Sequence, residues 1–162
     1  AEDGIRDLVR SRGLGDVYKR QVDALLAEKG NDPYGAYTGA QSLSLWTTRE
    51  DWAEILPAYS RCVRITRDLE TRFNTQEGLF EVDSERALYQ ALVRAEGEMA
   101  GATSVDAFFE AFFPMIPVIN RFFDEVLVMA EEDTVRENRL GLLQRVAALS
   151  SGIVDMSYLE GF

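Results

Sequence analysis

Four arginines, Arg61, Arg64, Arg67 and Arg72, fall within one segment, YSRCVRITRDLETRF, against only two acids, Asp68 and Glu70. Guanidinium groups at that density suit the gripping of phosphate oxygens and the stacking and hydrogen bonding of bases. If the segment is a helix, steps of about 100° per residue from Tyr59 bring Arg61, Arg64 and Arg72 to one side. Arg67 then sits nearer the apolar edge. The competing reading is an Arg64–Asp68–Arg72 ladder on a merely solvated surface. A second candidate is INRFFDEVLVM. Asn120 and Arg121 there suit base edges, and Phe122 or Phe123 suits stacking on an unpaired base. The alternative places both rings in the core.

Other chemistry has less to work with. Histidine is absent, which removes the commonest general base and the usual metal ligand. The acids of MAEEDTVRE (Glu131, Glu132, Asp133, Glu137) lack the Glu-x-x-His partners of a di-iron bundle. Acids at a helix start are favoured by its dipole and need no further role. Neither glycine-rich phosphate loop occurs. No catalytic residue, metal or cofactor is expected in this chain.

The residues that position these groups belong to a chain of globular composition, 46% hydrophobic and 28% charged, enough for one compact domain. A single cysteine, Cys62, fits a reducing compartment. With no apolar run long enough to cross a bilayer, the expectation is a cytoplasmic protein away from membranes. The net charge of −11 argues against sequence-blind attraction to nucleic acid.

Composition shifts at Gln21. Residues 1–21 carry five bases and four acids, whereas 22–162 carry twelve bases and twenty-four acids. The segment AEDGIRD, three arbitrary residues and SRGLGDVYKRQ match a translated sequencing-library adapter, its last six residues being what a transposon end encodes. Residues 1–21 are accordingly expected to be a non-native, disordered tail, with the domain occupying 22–162.

From Val22 the apolar spacing is helical throughout. Val22–Lys29 reads as a helix end stopped at Gly30. Asp32-Pro33 opens a second helix, to about Leu45. Thr47 and Glu50 suggest a capping box before a long third helix, whose stripe runs Trp52, Ile55, Leu56, Tyr59, Cys62, Val63, Thr66, Leu69 and Phe73. Residues 74–83 read as a loop and Ser84–Met99 as a fourth helix. SVDAFFEAFFPMIPVINRFFDEVLVM is an apolar helical stretch interrupted at Pro114 and Pro117. Thr134 with Glu137 suggests another capping box, and residues 138–154 a last helix with Arg139, Leu142, Val146, Leu149 and Ile153 along its buried stripe. The expected fold class is all-α, a bundle of about six helices.

GAQSLSLWTTREDW, ILPAYSRCVRITRDL, FFDEVLVMAEEDTVRENRLGLLQRVAAL and the terminal LEGF together resemble the C-terminus of the β-subunit of bacterial glycyl-tRNA synthetase. The resemblance covers residues 22–162. It implies a helical DALR-type anticodon-binding domain, related to that of arginyl-tRNA synthetase, which grips the anticodon stem-loop of a tRNA. Glycine activation, with its ATP and magnesium, would belong to the α-subunit, and that subunit and the rest of β would be partners. The residues carried over as RNA contacts are Arg61, Arg64, Arg67, Asn120, Arg121 and Arg139, the last at the start of ENRLGLL. The literal Asp-Ala-Leu-Arg string is missing, SERALYQAL being the nearest echo. The reading from another class is a helical protein–protein docking module with an acidic surface and exposed aromatics.

Overall fold

The computed structural model describes residues 15–162. Among them are seven α-helices and no strand: α1 Asp16–Lys29, α2 Pro33–Thr47, α3 Trp52–Thr66, α4 Asp83–Met99, α5 Val105–Phe112, α6 Ile116–Glu125 and α7 Asp133–Ala148. Short 3-10 turns occur at Glu77–Leu79, Phe113–Met115 and Met156–Tyr158. The fold is all-α. Prolines account for the extra helix, because Pro114 and Pro117 divide the apolar stretch into α5 and α6 across a 3-10 turn. Among the described residues no helix is long and apolar enough to cross a membrane.

Local chemistry sets most boundaries. Asp32 caps α2 by accepting the Gly35 N–H at 2.9 Å, with Pro33 in the first turn. A side chain at Gly35 would collide with that capping carboxylate. Ser104 caps α5 in the same way, accepting from Ala107 N–H at 3.1 Å. Gly101 takes φ +75°, a conformation only glycine adopts at little cost, and so turns the chain from α4 towards Ser104.

Three expected starts are corrected. Thr47 closes α2 rather than capping α3, because its hydroxyl donates to Ser44 O and accepts from Gln21. Thr134 lies inside α7 and donates to Glu132, so no capping box forms there. Residues 1–14 of the expected tail lie outside the described residues, but 16–21 are helical. The compositional boundary is thus no structural one: Gln21 is buried, with its amide on Thr47 at 3.1 Å, and Val22 packs with Ala40.

The core is dominated by aromatics from α5. Phe108, Phe109 and Phe112 are fully buried, and Tyr59 of α3 meets Phe108 and Phe112 edge-on at 5.7 and 5.5 Å. Its hydroxyl is held by Ala147 O at 2.8 Å and Ser150 at 2.6 Å, which ties α3 to the end of α7. Helices α3 and α7 pack together, as do α1 with α2 and α4 with α5 and α6. Cys62 is sealed among them, and burial pushes its thiol up to about 12, so it is no nucleophile.

Candidate nucleic-acid interface

Helix α3 turns Ile55, Tyr59, Cys62 and Thr66 inward and Arg61 and Arg64 to solvent. It stops earlier than its apolar stripe suggests. The Thr66 hydroxyl donates to Cys62 O at 2.7 Å, and beyond Arg67 the chain runs as an extended strap to the 3-10 turn at Glu77–Leu79. Leu69 and Phe73 still reach the core, but from the strap.

That strap is held by amides of α7, which sequence reasoning missed. The Phe73 N–H donates to Gln144 Oε1 at 3.0 Å, and the Gln144 amide donates to Thr71 O at 2.8 Å. One turn and a half earlier, Asn138 accepts from Gln76 N–H at 2.6 Å and donates to Gln76 O at 3.1 Å. Between them Gly141 leaves room for the strap, since a Cβ there would stand 2.7 Å from Phe73 O. The only signal in the sequence was polar Asn138 and Gln144 on an otherwise apolar helix face.

The strap displays Arg72, and with it an open cleft of about 280 Å³ lined by Arg67, Glu70, Arg72 and Gln144. Arg72 also borders a second cleft of about 300 Å³ lined by Asn74, Glu137 and Asn138. Because the helix ends at Thr66, the Arg64–Asp68–Arg72 ladder does not form.

Charge pairing sorts the arginines. Arg49, Arg86, Arg121, Arg136, Arg139 and Arg145 each pair with a carboxylate. From Val22 onwards, and among the described residues, Arg61, Arg64, Arg67, Arg72 and Arg94 pair with none, so four of the five such arginines lie between positions 61 and 72. Arg61 and Arg64 rest on rings instead: the Arg61 guanidinium lies 4.3 Å from the Phe123 centroid and that of Arg64 lies 5.7 Å from Phe162.

On α6 the candidates divide. Asn120 is exposed. Arg121 is exposed too, but its Nε donates to Glu125 at 2.9 Å, one turn on. Phe122 is fully buried and unavailable for stacking, whereas Phe123 is half-buried at the α3 side.

Arg139 is placed differently from the other candidates. Its side chain is 6% exposed and lies in the seam between α4 and α7. Nε donates to Glu85 at 2.8 Å, one Nη to Leu127 O at 2.8 Å, the other to Glu81 at 3.1 Å. A group so enclosed braces the fold and offers little surface to a ligand. Burial pushes the Glu85 carboxyl up, but Arg139 and the N–H groups of Val82 and Glu81 outweigh it and hold the carboxyl low. Glu85 thereby also caps α4. The position of Arg139 on the apolar stripe was the available sign of burial.

Residues 55–155 match the DALR anticodon binding domain. The chain is 34% identical over 143 residues to a glycine–tRNA ligase, chloroplastic/mitochondrial 2, of Arabidopsis thaliana, an alignment covering 87% of this chain and 13% of that protein. It is 31% identical over 143 residues to the glycine–tRNA ligase beta subunit of Citrifermentans bemidjiense, covering 86% and 20%. It is 32% identical over 156 residues to that of Desulforudis audaxviator, covering 94% and 22%. The chain therefore spans about a fifth or less of the length of these relatives.

Proposed function

This chain belongs to the DALR anticodon-binding domain family, and on that premise we propose that it is the RNA-gripping module of a glycine–tRNA ligase β-subunit. It holds the anticodon stem and loop of a tRNA while other parts of a cytoplasmic enzyme use ATP and magnesium to activate and transfer glycine. The remainder of β and the α-subunit are its protein partners in this reading. The carrying observation is the run of carboxylate-free arginines at 61, 64, 67 and 72 on a body whose other arginines are mostly neutralised.

Such a patch makes few phosphate contacts. Each contact contributes about 0.7 to 0.9 to the slope of log affinity against log salt. Titration of the chain with a stem-loop carrying a glycine anticodon should therefore show weak binding at low salt and a shallow slope. Arg64→Ala and Arg67→Ala should each weaken binding and lower the slope by about one contact. Equal binding by the parent chain and both variants removes the assignment.

The docking reading has its own support. Tyr34 and Leu45 are 78% and 72% exposed, lie three turns apart on one face of α2, and fall outside the 55–155 match. It predicts that the stem-loop does not bind at any concentration and that Tyr34→Ser weakens association with the rest of the subunit.

A further inference from the structure

We infer that Arg61 is a stacking platform for one unpaired base of the bound loop, with Phe123 as its floor and Asn120 at its edge. The inference rests on the RNA-gripping reading and adds to it a base site that charge alone does not specify.

Phe122 fills the core, and Phe123 stands edge-on against it at 5.5 Å and 84°. The Phe123 ring is thereby packed against the core on one side. On it lies the Arg61 guanidinium, 4.3 Å from the centroid. No carboxylate competes for this group among the described residues, and Arg61 is exposed to solvent. The ring thus restricts the guanidinium while leaving its outer side open, which lowers the entropy lost when a flat ligand settles there. A guanidinium is planar and weakly hydrated, and bases stack on it as they do on aromatic rings. Arg64 differs, because Phe162 is more distant at 5.7 Å and its group is held less closely. Arg64 serves as a phosphate contact.

Asn120 precedes Phe123 by one turn on α6, so the two share a side of the helix. Asn120 is exposed, and its side chain makes no hydrogen bond among the described residues. Its amide offers a donor and an acceptor together, the pattern needed to meet the Watson–Crick edge of a base lying on Arg61. The ligand class is thus an unpaired nucleobase within a structured loop, and an acidic body gains from such a contact because stacking needs no net positive field.

Replacing Arg61 by Lys separates stacking from charge. A lysine keeps the cation and loses the plane. Affinity of the full chain for the anticodon stem-loop should fall about tenfold in Arg61→Lys, the scale of one lost stack, with the salt slope unchanged. Phe123→Leu should weaken binding in the same direction although its side chain lies beneath Arg61. An abasic substitution at one loop position should cost the parent chain about the same tenfold and cost Arg61→Lys nothing further. If Arg61→Lys binds as the parent does, or no abasic position matters, Arg61 is a charge contact only and the inference falls while the RNA-gripping reading stands. If the parent chain fails to bind the stem-loop at all, both fall together.

Discussion

Arg61 and Arg139 carry the same cation on two helices, α3 and α7, that pack against each other, yet they meet opposite fates. Arg139 is enclosed by Glu85, Glu81 and the Leu127 carbonyl. Arg61 lies over a phenylalanine ring with its outer side in water. In a body with twenty-four acids to twelve bases, meeting a carboxylate is the ordinary outcome for an arginine. Remaining unpaired therefore carries information. Arg61 and Arg64 lie over rings, and although Glu70 and Glu137 line the clefts beside Arg67 and Arg72, no ion pair joins any of the four arginines to a carboxylate among the described residues. One region uses guanidinium groups to close the fold, and the other keeps them available.

Removal of Arg139 has the largest expected effect. Arg139→Ala strands the fully buried Glu85 carboxylate without its cation, which costs about 3–5 kcal/mol of stability and is read by denaturant or thermal unfolding. Whatever remains folded should bind the stem-loop as before. Loss of RNA binding with stability intact would make Arg139 a contact and erase the contrast. The same site gives a pH dependence. The folded state holds the Glu85 carboxyl below its ordinary value of 4.5, so its contribution is present above that value and is lost as pH falls through the lower folded one. Glu85→Gln should flatten that acid limb and lower stability at neutral pH.

A smaller effect tests how the exposed region is built. Asn138→Ala removes both hydrogen bonds to Gln76 and leaves its N–H and carbonyl unpaired at a partly buried site, a loss of about 1–3 kcal/mol. Amide exchange over residues 71–76 should quicken. RNA affinity should fall as well, because the strap no longer fixes Arg72. Normal exchange rates in Asn138→Ala would show that the Gln144 hydrogen bonds and the packing of Leu69 and Phe73 hold the strap without Asn138.

The helices were largely legible because their causes are local: Asp32 ahead of Pro33, the breaks at Pro114 and Pro117, and an apolar step of three or four residues through α3 and α5. What sequence spacing could not show was set by partners far along the chain. The Trp52-to-Phe73 stripe reads as one helix, since Leu69 and Phe73 are apolar at the right intervals, but they pack half-buried from a strap whose hydrogen bonds go to Asn138 and Gln144. Thr47 and Thr134 satisfy the capping pattern by type, yet each hydroxyl is engaged elsewhere. By spacing Arg139 falls on the buried stripe, whereas family likeness implies an RNA contact. Its spacing was the better guide, and Glu85, the acid that lets it be buried, lies 54 positions away. The arginines of 61–72 were legible by density alone, whereas Phe123 as a floor for Arg61 required the α3–α6 contact.

The finest test concerns Arg121, which lies between the two extremes. It sits on α6 beside Asn120, exposed, but bound to Glu125 at 2.9 Å. If pairing is what withdraws an arginine from RNA, Arg121→Ala should leave stem-loop affinity nearly unchanged, unlike Arg64→Ala. Glu125→Gln should then do the reverse and release a cation onto the ridge, tightening binding by roughly two- to threefold at low salt and steepening the salt slope by at most about 0.9. Because both side chains are solvent-exposed, neither change should move the unfolding transition measurably. Weaker binding in Arg121→Ala, matching that of Arg64→Ala, would mean that the RNA outcompetes Glu125. Availability would then be decided by position on the surface and not by the absence of a carboxylate.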